Sequence, residues 1–149
     1  MAEIKSLKIG APKRKQFMID GDESKVIELD TGDTGILARW NSMQKWFEDV
    51  QKRMDEFQKI SSEDNVDLEK VSTEFAVLSD EVRDHMNELF DSDVCTPIVG
   101  NGSMLRTVNG EPLFLVTLEA LVPLYEADIK TEMQKTSKRI AKHTSKYRG

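Results

Sequence analysis

The six residues Asp30-Thr31-Gly32-Asp33-Thr34-Gly35 divide this chain into a strand-forming part and a helix-forming part. Before them, short apolar runs lie on either side of Asp20-Gly21-Asp22, which is typical of a β-hairpin. After them, apolar residues recur every three or four positions, as they do on one face of a helix. The stretch also carries the Asp-Thr-Gly letters of aspartic proteases. Whether this stretch is a catalytic loop or a helix start therefore decides between an enzyme and a binding protein.

The apolar pattern predicts a mainly α-helical protein with a small N-terminal β-hairpin, an α+β fold. Asp33 and Asp67 are the expected N-caps of the first two helices, because an aspartate carboxylate accepts hydrogen bonds from unpaired backbone N–H groups. The short linker at residues 61–65 makes these helices antiparallel neighbours. The expected elements are a hairpin over about residues 16–30 and helices over about 34–60, 67–90 and 112–127.

Several local features refine this prediction. Residues 4–9 have the pattern of a first short strand, and Gly21–Ser24 is the expected hairpin turn. Residues 92–111 are irregular, with room for one helical turn. Pro112 suits the first turn of the last helix, where its missing N–H costs nothing. Pro123 is expected to kink or break that helix.

The charge distribution separates a basic arm, residues 128–149, from a single domain over residues 1–127. The chain has a net charge of −6, but residues 130–149 hold seven Lys/Arg and one acidic residue, which leaves −12 for the rest. The simplest interpretation is a solvated helical tail, since cations suit a helix C-terminus. The alternative is an arm that docks on an acidic surface, either another copy of this chain or nucleic acid.

Composition limits the class of protein. The chain of 149 residues contains no apolar run long enough for a membrane span. Its one cysteine excludes an internal disulfide, and its N-terminus lacks the apolar centre of a signal peptide. These features predict a soluble protein of a reducing cytoplasm.

No constellation of residues predicts catalysis, a cofactor or a metal site. A protease needs two facing aspartates, and Asp30 and Asp33 lie in one loop; a homodimer would supply two, but that fold is almost all strand. Asp20, Asp22 and Ser24 begin like a calcium loop, yet Lys25 replaces the required glycine. A packed role is expected for Cys95, and a structural or surface role for the histidines.

The order of motifs resembles one family. A Phe-x-Ile-x-Gly hairpin begins at Phe17, and a Val-Gly pair at Val99 precedes a last helix with an apolar Phe-Leu-x-x-Leu-x-Ala-Leu-x-Pro-like core. A Lys/Arg-rich tail then ends near Lys-Tyr-Arg. Together these segments, about half the chain, resemble the small tail assembly chaperones of long-tailed phages of Gram-positive bacteria. The resemblance implies a mainly helical, non-catalytic protein that keeps a tape-measure protein soluble in the host cytoplasm.

The surplus of apolar helix faces indicates where a partner would bind. Stripes rich in aromatics and methionine usually form a core, but they also suit a groove for a partner helix. Self-association is expected as well. The two open alternatives are a structural subunit of the virion and a nucleic-acid-binding protein, although the acidic body opposes the latter. The predicted partner-binding residues are Leu113, Leu118, Leu121 and Tyr125, then Trp46 and Phe57; the predicted charged arm comprises Lys135, Lys138, Arg139, Lys142 and Lys146.

Overall fold

A computed structural model describes residues 3–61 and 67–147, with the side chains of these residues except 61, 143 and 145–147. The predicted α+β class is confirmed, because helices dominate and an antiparallel hairpin lies near the N-terminus. Beyond residue 61, the predicted linker lies outside the described residues. The elements are β1 (Lys15–Ile19), β2 (Asp22–Leu29), α1 (Ile36–Ser61), α2 (Leu68–Phe90), α3 (Cys95–Val99), β3 (Thr107–Val108), β4 (Glu111–Pro112) and α4 (Leu113–Tyr147).

The N-terminal segment is not a strand, contrary to the prediction for residues 4–9. These residues have no regular structure, and Ile4, Leu7 and Ile9 are almost fully exposed. The alternating apolar pattern is present, but this segment pairs with no strand of the described chain. Without a ladder of hydrogen bonds an extended segment is not a β-strand.

The hairpin turn is tighter than predicted. Asp20 and Gly21 form a two-residue loop with φ values of 52° and 72°, so β2 begins already at Asp22. Two successive positive φ values are characteristic of the type I′ turn, whose twist matches that of paired strands. Asp22 supports the turn, because its carboxylate accepts a hydrogen bond from the Ser24 N–H at 2.9 Å.

The two long helices α1 and α2 pack antiparallel, as predicted. Phe57 near the end of α1 contacts Phe75 early in α2, whereas Trp46 contacts His85 farther along. Asp67 is the N-cap of α2, since its carboxylate accepts a hydrogen bond from the Lys70 N–H at 3.2 Å. α1 begins at Ile36, two residues later than expected.

The segment between α2 and α4 contains the expected helical turn, α3, and a second small hairpin. The chain leaves α2 through Asp91, which has a left-handed backbone with φ of 48° and serves as its C-cap. The β3–β4 hairpin turns at Asn109 and Gly110, both with positive φ. It leads directly from Pro112 into α4, so this proline precedes the helix rather than opening it.

Helix α4 runs without interruption from Leu113 to Tyr147, so Pro123 does not break it and the predicted basic arm is its continuation. Pro123 and Glu119, the residue whose carbonyl loses its hydrogen bond, are both exposed. Water can therefore satisfy that carbonyl, which reduces the cost of a proline inside a helix.

A single apolar core joins the hairpin to the helices. β2 contributes Ile27 and Leu29, which are 1% and 0% exposed. No helix in the described part of the chain is long and apolar enough to cross a membrane. The core residues of the helices are Ile36, Met43, Val50, Leu78, Val82, Met86, Leu89, Phe90, Cys95, Phe114, Leu118, Leu121, Tyr125 and Ile129.

Candidate functional site

The Asp-Thr-Gly stretch forms a structural junction ahead of α1. The backbone N–H of Asp33 donates to the Asp30 carbonyl at 3.1 Å, which closes a turn. The Asp33 carboxylate accepts hydrogen bonds from the Gly35 N–H at 2.9 Å and from Arg39 Nη2 at 2.8 Å. The bond from Arg39 is the main reason that the pKa of Asp33 is lowered. Asp33 therefore caps the turn that leads into α1.

Replacing Asp33 with alanine is expected to cost about 1 kcal/mol of stability at pH 7, the usual value of a lost cap. Because the pKa of Asp33 is depressed in the folded state, its contribution is fully present above its ordinary value of 3.8 and is lost as the pH falls from there through the lower folded-state pKa. Urea unfolding at pH 7, 5 and 3 should show the gap between wild type and Asp33→Ala shrinking towards pH 3. Asp30→Ala is the control, since the described contacts use the Asp30 backbone carbonyl. A gap that is constant with pH would contradict this role.

A polar cluster fastens the junction and the hairpin to α4. Thr31 is only 2% exposed, and its hydroxyl donates to Asp128 Oδ2. Lys15 Nζ donates to the same oxygen at 2.7 Å. These two donors, Lys15 first, lower the pKa of Asp128. Thr31 is thus the buried link between the opening motif and the last helix.

The surroundings of Cys95 and His85 indicate structural roles for both residues. Cys95 is fully buried, and burial raises the pKa of its thiol to about 11, so little reactive thiolate forms at neutral pH. The ring of His85 stacks on that of Trp46 with centroids 4.0 Å apart. Within the described residues, no three His, Cys, Asp or Glu side chains are grouped as metal ligands.

Three residues predicted to bind a partner lie in the core instead. Leu118, Leu121 and Tyr125 are 5%, 6% and 2% exposed, because this face of α4 packs against the rest of the fold. The Tyr125 ring lies 5.6 Å from the Phe90 ring, and burial raises the pKa of Tyr125 to about 12. The side chains of Leu118 and Leu121 are therefore unavailable to a partner in this conformation, and Tyr125 offers a partner almost no surface.

The other three predicted residues are half-buried at separate places. Leu113 begins α4, and Trp46 is covered on one side by His85. Phe57 meets Phe75 edge to face, with ring centroids 5.9 Å apart. The structure does not bring Leu113, Trp46 and Phe57 together with the buried three into one surface.

An open apolar groove lies elsewhere, between the start of α1 and the second half of α4. It encloses about 580 Å³. α1 forms one wall with Ile36, Leu37 and Trp40. The wall from α4 consists of Val122, Tyr125, Glu126, Ile129, Lys130, Met133, Gln134 and Ser137. Of the six residues predicted to bind a partner, only Tyr125 lines this groove.

The groove exposes large apolar side chains on both walls. Leu37 is 53% exposed and Met133 is 54% exposed. Farther along α4, Ile140 is 61% exposed and lies seven residues beyond Met133, about 10 Å along the same side of the helix. Exposed apolar surface with a polar rim is typical of interaction sites. In the sequence, Ile129, Met133 and Ile140 are spaced four and seven residues apart, which indicates one apolar side of a helix, whereas the part played by Leu37 required the fold.

Most of the predicted cations of the arm lie on the other side of α4, and Arg139 lies between the two sides. Lys135, Lys138, Arg139 and Lys142 are all exposed, and Lys135 Nζ lies 3.8 Å from Glu132. At 3.6 residues per turn, Lys138 is roughly opposite Ile140. The side chain of Lys146, also predicted for this set, lies outside the described residues. The second half of α4 is therefore amphipathic, with an apolar side that continues the groove and a cationic side that faces water.

The comparisons with known proteins assign no family. No protein-family model, curated protein or solved structure matches this chain.

Proposed function

We propose that this protein is a tail assembly chaperone that binds amphipathic helical segments of a phage tape-measure protein in the groove between α1 and α4. The observation that carries the proposal is the apolar groove with Leu37 and Met133 exposed on opposite walls. The resemblance of the hairpin, last helix and basic tail to such chaperones supports the choice of client. The chaperone acts in the host cytoplasm, before the tail is complete.

The length of the groove suits a helical client. Its lining residues on α4 extend from Val122 to Ser137, which corresponds to about 22 Å of helix, or four turns. A helix bound in a groove inserts side chains spaced three, four and seven residues apart. Such a client would place its apolar side against Leu37, Trp40 and Met133, the parts of the lining that are not closed off by the core.

The charged residues at the rim of the groove select only weakly among client helices. Glu126 and Lys130 both line it and both are exposed, one helical turn apart on α4. A client with a basic and an acidic residue at matching spacing would pair with both. Exposed pairs of this kind contribute little affinity, so the apolar contacts must supply most of the binding free energy.

Replacing Leu37 with aspartate is expected to weaken client binding at least about tenfold, because one exposed apolar anchor becomes a charge inside the groove. Co-expression with the tape-measure protein, followed by affinity purification, measures the amount of soluble client retained. Leu68→Asp is the matched control, since Leu68 is 72% exposed on α2 and is not part of the groove. Equal client recovery with both variants would rule out the groove as the client-binding site. No recovery with wild type would rule out the proposed chaperone function.

The free edges of the β1–β2 hairpin favour a second candidate, a structural subunit of the virion. This sheet has two strands only in the described chain, so its edges remain able to pair with a neighbour's strand. A structural subunit is present in purified particles at high copy number, whereas a chaperone is absent from them. Protein analysis of purified virions therefore separates the two candidates.

A further inference from the structure

Two Asn-Gly pairs lie between α2 and α4, and the structure holds them differently. Asn101-Gly102 follows α3, and Asn109-Gly110 is the turn of the β3–β4 hairpin. All four residues are exposed. An asparagine followed by glycine is open to attack by the next backbone nitrogen, because glycine has no side chain to hinder the approach. The surroundings of each pair therefore decide where this reaction occurs.

We propose that Asn109 is a site of spontaneous deamidation in the folded protein, whereas Asn101 is protected. The Gly110 backbone nitrogen attacks the side-chain carbonyl carbon of Asn109, and the new C–N bond closes a five-membered imide. The side-chain amide nitrogen leaves as ammonia, and the proton of the Gly110 N–H reaches it through solvent. Water then opens the imide at one of its two carbonyl carbons, which gives either aspartate or isoaspartate. The reaction consumes one water molecule and needs no oxidant or reductant.

Two hydrogen bonds hold the Asn101-Gly102 pair in place. The Gly102 N–H donates to the Val99 carbonyl at 2.8 Å, so the nitrogen that would attack is already engaged. The next residue, Ser103, is fixed to Ser79 of α2 by a hydrogen bond of 2.6 Å between their hydroxyls. Attack on Asn101 therefore requires this segment of the chain to separate from α2, which costs tertiary contacts as well as local ones.

The Asn109-Gly110 turn is held only by the short hairpin that it closes. Among the described contacts, the Gly110 N–H donates to no acceptor. The hairpin has two residue pairs, and the outer pair contains Pro112, which has no N–H. The ladder therefore depends on Val108 and Glu111 beside the turn, and both are exposed. Exposed hydrogen bonds of this kind open at little cost in free energy, and the opened turn lets the Asn109 side chain reach the Gly110 nitrogen.

The two products differ in their effect on the hairpin. Aspartate suits the same two-residue turn, because Asp-Gly also favours two positive φ values, as Asp20-Gly21 shows between β1 and β2. Isoaspartate carries the chain through its side-chain carbon, so the backbone of the turn becomes one atom longer and the pairing is lost. The start of α4 stays fixed, since the Phe114 N–H donates at 2.9 Å to the carbonyl of Met104, a core residue. The modification therefore alters this hairpin and leaves the helical core in place.

Peptide mapping of the aged full chain tests the proposal. The folded protein is kept at pH 8, sampled over days and cleaved with trypsin, with a sample taken at the start to correct for changes during digestion. Cleavage after Arg106 separates the two pairs, because Asn101 is in the peptide of residues 84–106 and Asn109 is in that of residues 107–130. Mass spectrometry detects the replacement of an amide by an acid, and chromatography separates the two products. Deamidation is expected to be at least about tenfold faster at Asn109 than at Asn101.

Two controls connect this difference to the fold. In guanidinium chloride, where the chain is unfolded, the two pairs should react at similar rates, because both then have the same Asn-Gly chemistry. Asn109→Asp has no amide to lose at this position, so it identifies the aspartate product in the map. Equal rates in the folded protein, or a faster reaction at Asn101, would overturn the proposal. A tenfold difference that persists in guanidinium chloride would also overturn it, because local sequence and not the fold would then set the order.

Discussion

Replacing Phe90 with alanine is expected to lower the free energy of unfolding by about 3–5 kcal/mol, the range for removing a large aromatic ring from a core. Phe90 is 1% exposed and is among the largest fully buried side chains. It lies at the end of α2, and its ring contacts Tyr125 of α4 at 5.6 Å. The cavity would therefore open at the place where α2 and α4 join. Equilibrium unfolding in urea, followed by circular dichroism, measures the loss.

Phe75→Ala is the matched control for this prediction. Phe75 is on the same helix but is 38% exposed, and its described aromatic contact is the edge of Phe57. Its removal should cost about 1 kcal/mol, the value of an aromatic pair with partial burial. Similar losses for the two variants would mean that the core does not centre on the contact between Phe90 and Tyr125.

The second large effect is expected at Arg39, whose replacement by alanine should cost about 2 kcal/mol. Its Nε donates to the Leu89 carbonyl at 2.9 Å and its Nη2 donates to Asp33 at 2.8 Å. Leu89 is in the last turn of α2, where carbonyls lack helical partners and a cation is favourable. One guanidinium thus stabilises the end of α2 and the turn before α1. Hydrogen bonds to charged groups are worth more than neutral ones, but the 27% exposure of Arg39 limits the gain.

Arg53→Ala provides the comparison, because Arg53 also joins α1 to α2. It pairs with Glu81 and with Asp49 on the helix surface and serves no helix end. Arg53 is 28% exposed, about as much as Arg39, so the difference lies in the missing bond to a helix-end carbonyl. Ion pairs near the surface contribute about 0–1 kcal/mol, so this variant should lose less than half as much stability. Thermal unfolding at low and moderate salt would check both variants. A larger loss for Arg53→Ala than for Arg39→Ala would contradict the capping role assigned to Arg39.

The parts of the fold that depend on local sequence were predictable. The apolar spacing predicted the helices α1 and α2, and the short linker between them predicted their antiparallel packing. Asp67 marked the start of α2 because its carboxylate can cap only the residues that follow it. Residues 4–9 show the opposite case. Their alternating pattern is a strand pattern, but whether a strand forms depends on a neighbouring strand that the sequence does not reveal.

Pro123 and Asp20 show two further limits of prediction. Proline disfavours a helix interior, yet α4 continues because this proline is on the exposed side. At the hairpin, Asp20 adopts a positive φ, which any residue other than glycine adopts at a cost. The Asp-Gly pair was a turn signal, but a four-residue loop starting at Gly21 matched the apolar pattern equally well.

The candidate site was harder to predict than the fold. Leu118 and Leu121 have the spacing expected of a partner-binding face, but the fold uses that face for its own core. Helical periodicity identifies which residues share a face and does not identify what covers it. The groove became visible only when α1 was placed beside α4, since Leu37 and Met133 are 96 positions apart in the chain.

The hydrogen bonds that join the N-terminal hairpin and the following junction to α4 have a consequence for synthesis on the ribosome. Thr31 and Lys15 precede their common partner Asp128 by 97 and 113 residues. At ordinary rates of translation, roughly 5–20 s pass between the appearance of the junction and that of α4. A two-stranded hairpin is barely stable by itself, so it gains stability only as the helices that cover Ile27 and Leu29 are made, and α4 is the last of these. The hairpin is therefore among the first parts of this chain to be made and among the last to become stable.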